Sequence, residues 1–216
     1  MVMRDLDPLK IKGTTTLALK CVDGVILTAD TRATMFPSFV ASKAVKKIYW
    51  ITRNVGMTIA GVPAEAENLL DLLRANANIY QLHRNRIIAV RSVAGLASRI
   101  LFSQRFLPYI VQIVIGGYDT EGYHIYSLDP FGSLIEDDVV STGSGSPVAY
   151  GVLENEYKEG ISLSEGLLIA VKAITTAMKR NIYTGDDFNI ATVTQEKGYV
   201  ELTREDKKEL LSRLSF

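Results

Sequence analysis

The chain has little of what most metal and redox chemistry needs. Of its 216 residues, one is cysteine, Cys21, and two are histidine, His83 and His124. A single cysteine excludes an intramolecular disulfide and a cysteine-rich zinc site. Two isolated histidines do not make a metal cluster, so neither metal nor cofactor is expected. Net charge is lacking too: 24 Lys and Arg balance 24 Asp and Glu. Phosphate binding needs a basic excess, so nucleic acid is not an expected partner. No apolar run approaches the ~20 residues of a membrane helix. The first twelve residues carry five charges and no apolar core, which is not a secretory signal. The expectation is a cytoplasmic protein with no membrane contact. Low-complexity segments, repeats, a P-loop and the dinucleotide fingerprint are also missing.

What is present is an ordinary globular composition. Apolar residues make up 47% and charged residues 22%, enough to build a core and too apolar for disorder. Alternating runs at 14–22 and 25–30 flank Asp23-Gly24, a strong hairpin signal. A second pair, 46–51 and 55–60, turns at Arg53-Asn54. The period then changes. Apolar residues at 66, 69, 70, 73, 77 and 80 predict a helix over 63–84. Pro63 suits its first turn. A second helix is expected over 89–105. Strands follow at 109–116, 123–128, 133–136 and 139–142, then helices at 147–157 and 162–180. A last hairpin (189–194, 199–203) and a polar, solvated helix from Thr203 close the chain. Tight hairpins make the strands antiparallel. The helix stripes must cover the outer faces of two stacked sheets. The expected fold is α+β, a four-layer αββα sandwich in one domain.

Three places offer chemistry. Gly13-Thr14-Thr15-Thr16 opens the first strand. Threonine favours strands, so the run alone means little. If the chain is cut before Thr14, that residue gains a free α-amine of pKa ~7.7–8.0, able to act as base for its own hydroxyl. Asp30 ends a strand and Lys47 begins one. They are either a surface ion pair or a charge beside the nucleophile. Alternation sends only one of Lys46 and Lys47 inward. Ser141-Thr142-Gly143-Ser144-Gly145-Ser146-Pro147 precedes a helix, with Ser146 as expected N-cap. Cys21 reads as a small buried hydrophobe.

In combination these segments resemble a proteasome β subunit of the archaeal type. The resemblance rests on GTTT (13–16), DGVILTADTRATM (23–35), SKAVKKIY (42–49), GMTIAG (56–61), RFLPYIVQIVIGGYDTEG (105–122), YSLDPFGSLIE (126–136), STGSGSPVAYGVLE (141–154) and AMKR (177–180). It implies an N-terminal nucleophile hydrolase. Residues 1–13 would be a propeptide and 14–216 the hydrolase domain. Thr14 would be the nucleophile, with Asp30 and Lys47 as its partners. The Lys47 assignment assumes a one-residue insertion near Phe36-Pro37. The Gly61 N–H would hold the oxyanion, and Ser144 would bond near the amine. Thr34 would pair with an extended substrate. Ala33, Val45, Tyr49, Ile59 and Pro63 would line an apolar pocket for the residue before the cut. The implied partners are proteasome α subunits and other β subunits in stacked heptameric rings, unfolded polypeptide substrates, and an ATPase unfoldase ring acting through the α ring.

The chain departs from the family at three points. Arg180-Asn181-Ile182-Tyr183-Thr184-Gly185 stands where the family has Arg-Asp-Ser-x-Ser-Gly, so Asn181 and Thr184 replace an aspartate and a serine. Pro63 has no N–H for the substrate backbone. Val45 narrows the pocket. An aspartate restored at 181 is expected to speed both turnover and loss of residues 1–13. Two alternatives remain: a non-catalytic structural β subunit, favoured by Asn181 and Pro63, and a stand-alone amidohydrolase of the same fold.

Overall fold

A computed structural model describes residues 13–35 and 39–214. The expected propeptide up to residue 12 and the expected insertion at Phe36-Pro37 lie outside the described residues.

Two five-stranded antiparallel sheets stack face to face. The first has the order β10-β1-β2-β11-β12, from β1 (Thr15–Cys21), β2 (Gly24–Asp30), β10 (Val139–Gly143), β11 (Phe188–Thr194) and β12 (Gly198–Glu201). The second has the order β5-β6-β7-β8-β9, from β5 (Ile48–Thr52), β6 (Val55–Gly61), β7 (Val111–Asp119), β8 (Gly122–Leu128) and β9 (Leu134–Glu136). Helices α1 (Pro63–Arg84) and α2 (Val90–Ser103) cover the second sheet, and α3 (Ser146–Glu156) and α4 (Leu163–Arg180) the first. Helix α5 (Arg204–Arg213) packs on α4. The expected αββα sandwich is the observed fold.

Period-two alternation builds the layers. Leu17, Leu19 and Cys21 of β1 face α3 and α4, while Ala18 between them faces the other sheet. Val25, Leu27 and Ala29 of β2 meet Val114 and Ile125 across the sandwich. Helix α4 begins with a capping box, in which Ser162 and Glu165 satisfy each other's backbone N–H. It buries Ala170, Ala173, Ile174 and Ala177 on one stripe. Truncating fully buried Ile174 to alanine would cost about 2–5 kcal/mol.

The structure differs from expectation in three places. A short hairpin, β3 (Ala33–Met35) with β4 (Phe39–Ser42), stands between β2 and β5, where no strand is expected. Both strands are too brief to show a period. β7 runs to Asp119 rather than ending at 116, through Gly116-Gly117. There a Cβ on Gly117 would meet Asn54 O at 2.1 Å, so the glycine reflects close strand packing and not a break. Helix α3 takes Gly145, not Ser146, as N-cap, with no side-chain cap. Gly145 lies against the Thr15 hydroxyl, where a Cβ would come within 2.0 Å. Packing therefore sets the helix start.

Candidate active site

Thr14 lies immediately before β1 and is buried. Its hydroxyl donates to the Gly13 carbonyl at 2.7 Å. Gly13 has φ +97°, and a Cβ there would sit 2.0 Å from Tyr183 Cβ. Both facts require glycine.

The β1–β2 register sets Thr16 opposite Ala29, and so brings Asp30 to the main chain beside Thr14. Asp30 is 0% exposed. Its Oδ1 accepts from Thr15 N at 2.9 Å and Lys47 Nζ at 2.8 Å. Its Oδ2 accepts from Arg32 N and Gly185 N, each at 3.1 Å. A carboxylate this deep persists only when paired and hydrogen-bonded, and four donors meet that need. Lys47 is 6% exposed and also donates to Arg32 O at 2.6 Å. Burial pulls its ammonium below the ordinary lysine range, with Asp30 opposing that shift. Lys46 borders the same hollow beside Thr14, but its ammonium pairs with Glu201 at 2.5 Å in solvent rather than with Asp30. Lys47, expected to begin a strand, lies just before β5, so strand parity does not decide between the two lysines; their different partners are what separate them.

A second cluster approaches from the far side. Asn181 caps the C-terminal end of α4. Its Oδ1 accepts from Tyr183 N at 2.9 Å, Thr184 Oγ1 at 3.1 Å and Ser144 Oγ at 3.2 Å. Its Nδ2 donates to Ser144 O at 2.8 Å. Tyr183 N can only donate and Ser144 O can only accept, so the amide orientation is unambiguous. Thr184 and Thr15 hydroxyls bond at 2.7 Å, tying this cluster to β1. Ser144 Oγ lies 3.5 Å from Thr14 O, a long contact.

Gly61 ends β6 between two hollows that both reach Thr14. It has φ +134°, and a Cβ there would strike Ile110 O at 2.0 Å. On one side Ala33, Val45, Tyr49, Ile59 and Pro63 gather around Thr14, with Lys46 and Lys47. The space they leave is about 20 Å³, little more than one water. On the other side a cleft of about 450 Å³ runs past Gly13, Ile110, Val111, Pro130 and Tyr183. Thr34 lies in β3, which among the described residues pairs only with β4. Tyr183 and Arg32 have no sequence signal that points to the site: neither follows a strand or helix period, and only the fold brings Tyr183 to Gly13 and the Arg32 guanidinium to Asp186.

The remaining candidates stay outside this centre. Cys21 is buried and its thiol is pushed up to about 12, chiefly by burial. His124 lines a separate pocket with Asp119 and Glu136. Among the described residues no His, Cys, Asp and Glu side chains group so as to hold a metal ion, and no helix is long and apolar enough to cross a membrane.

The family profile described as "Proteasome subunit" matches residues 11–193. A protein named "Proteasome subunit beta" from Methanopyrus kandleri is 46% identical over 97% of this chain and 100% of its own length. One from Ferroglobus placidus is 47% identical over 94% of this chain and 96% of its own. One from Methanothermobacter thermautotrophicus is 43% identical over 95% and 97%.

Proposed function

The chain belongs to the proteasome subunit family, as a β subunit, and we propose that it is a threonine-type endopeptidase that first cuts itself between Gly13 and Thr14. Membership brings assembly within the proteasome particle and a peptide-hydrolysing role. The finer reading is carried by one observation, the buried Asp30–Lys47 pair on the main chain next to Thr14. A buried ion pair is a poor source of stability, and apolar replacement is often neutral or better. A charge kept there in spite of that supports a chemical task.

In the uncut chain the Thr14 hydroxyl faces the Gly13 carbonyl. Attack on that carbonyl carbon forms an ester, and the hydroxyl proton passes to the departing Thr14 nitrogen. That acyl shift breaks the peptide bond and frees the α-amine; water then hydrolyses the ester, releasing residues 1–13 and regenerating the Thr14 hydroxyl. In later cycles that amine takes the hydroxyl proton as Oγ attacks the substrate carbonyl. It returns the proton to the leaving amine, and water clears the acyl-enzyme. Lys47⁺ keeps the amine unprotonated at neutral pH by like-charge repulsion. The Gly61 N–H is the oxyanion donor in this reading, an interaction worth about 2.7–4 kcal/mol. In this reading the substrate is received as an added strand beside Thr34 of β3. Pro63 supplies no N–H on the opposite side, which weakens that pairing by about 0.5–1.5 kcal/mol. Asn181 Oδ1 accepts from the Ser144 and Thr184 hydroxyls, the two contacts an aspartate oxygen could also make, which favours a working site over a purely structural subunit.

Its partners in this reading are α subunits and other β subunits in stacked heptameric rings in the cytoplasm. Unfolded polypeptide is the substrate, delivered by an ATPase ring docked on the α ring. The test is the mass of the mature N-terminus in particles assembled with α subunits. A chain beginning at Thr14 that turns over peptide is expected. A chain that keeps residues 1–13 and cleaves nothing would overturn the proposal and leave the structural role.

A further inference from the structure

Asp186 and Asp187 are neighbours in the segment joining α4 to β11, and each is held by a cation from a different part of the chain. Arg32, just after β2, donates through Nε to Asp186 Oδ2 at 2.8 Å and through Nη1 to Ile182 O at 2.8 Å. Lys207 of α5 donates to Asp187 Oδ2 at 2.9 Å, Asp187 Oδ1 at 3.1 Å and Phe188 O at 2.7 Å. Helix α5 is mostly charged and exposed, but on its inner face Lys207 is buried beside Leu210, each 8% exposed. A lysine on such a helix reaches water freely, so one turned inward is held there by specific partners.

The residues just before these two anchors carry the second half of the candidate site. Thr184 bonds the Thr15 hydroxyl, Gly185 N–H bonds Asp30, and Tyr183 presses on Gly13. Asp187 O also takes Thr31 N at 2.8 Å, and Phe188 lies opposite Asp30 in the β2–β11 register. Asp186 sits at φ +64°, a conformation a non-glycine residue holds only when its surroundings impose it. A Cβ on Gly185 would meet the Arg32 guanidinium at 2.5 Å, so the arginine lies directly against the segment.

We propose that Arg32 and Lys207 form a two-point clamp that positions residues 181–187 against Thr14, and that Lys207 makes the C-terminal helix part of the site's support. Lys207 is a positioning residue: its bonds are to Asp187 and Phe188 O, one step removed from the reacting groups. The coupling to catalysis rests on the threonine-protease reading, while the clamp itself does not.

The test uses the full chain assembled with α subunits and three variants: Lys207→Met, Lys207→Arg and Lys208→Met, the last a change at an exposed neighbour. Amide hydrogen exchange over 181–188 and the kcat and KM of an apolar peptide are measured on intact particles. Lys207→Met is expected to speed exchange at 182–187 at least tenfold. It should lower kcat five- to twentyfold with KM within twofold. Lys207→Arg should keep both within twofold of the parent, and Lys208→Met should change neither. Unchanged exchange in Lys207→Met overturns the clamp, as does a rise spread evenly over the first sheet. Faster local exchange with an unaltered kcat overturns its link to catalysis. If the parent itself cleaves nothing, the protease reading fails and exchange alone decides the clamp. If Lys207→Met does not assemble, Asp187→Ala removes the same side-chain bond from the other side. Its exchange must then rise at 182–187 for the clamp to stand.

Discussion

The side-chain amide of Asn181 donates to the main-chain carbonyl of Ser144 at 2.8 Å. The departure from the family's aspartate is thus built into the local hydrogen bonding. A carboxylate at 181 would set an oxygen against that carbonyl and lose a donor, a penalty of about 1–3 kcal/mol. Before self-cleavage no amine exists to repay it electrostatically. Afterwards a carboxylate near the Thr14 ammonium contributes about 1.36 kcal/mol per pKa unit. The geometry therefore splits the single sign expected from sequence. Asn181→Asp should lose residues 1–13 more slowly than the parent, while its matured chains turn over peptide at least as fast. The measurements are the processed fraction against time and the turnover per processed chain. Faster processing in the variant would show that the Ser144 contact carries little weight.

Thr14→Ala should remove self-cleavage and peptide turnover together, since one hydroxyl performs both attacks. Intact mass and a peptide assay on the same particles check this. Residual turnover in particles with no other β type would assign the nucleophile elsewhere.

Lys47→Ala should reduce turnover at least a hundredfold, and Lys46→Ala by less than twofold. The first uncovers buried Asp30, which costs about 3–5 kcal/mol when a buried partner is removed. The second breaks an exposed pair worth about 0.2–1 kcal/mol. Comparable losses from both would mean that the buried charge has no chemical role.

The pH dependence follows from the lowered Lys47 pKa. Between its folded and unfolded values the unfolded chain binds the extra proton, so the Lys47 contribution to stability rises with pH through that window. Activity runs the other way, because the charge near Thr14 disappears as Lys47 deprotonates. The alkaline limb of kcat should fall below the ordinary lysine value of 10.5. Lys47→Arg, if active, should carry that limb upward. A pH–rate series on both chains decides it.

Val45→Ala should widen the pocket beside Thr14 beyond its about 20 Å³. Cleavage after Phe or Tyr should gain several-fold relative to cleavage after Ala or Val. One extra buried methylene is worth about 1–3 kcal/mol of discrimination in such a pocket. Competition between two peptides differing only at that residue measures the ratio. An unchanged ratio would show that another wall sets the size.

The αββα layering was legible in the residues themselves because hairpin turns and a shift of period from two to 3.6 are local signals. Parity said only that Lys46 and Lys47 would not both face inward; the preference for Lys47 came from the family resemblance, and both residues lie just before β5. Gly13-Thr14 and Ser144 stood out as places where chemistry was possible, and the family resemblance supplied their expected roles. The rest belongs to tertiary structure. β3 and β4 are too short to carry a period and exist because they pair with each other. The orientation of the Asn181 amide depends on two backbone groups, Tyr183 N and Ser144 O, that only the folded chain brings together. The terminal helix reads as solvated at every charged position, and at Lys207 it is not. That lysine is buried because β11 begins beneath it with an open carbonyl and a carboxylate, partners 19 and 20 residues away that no local pattern encodes.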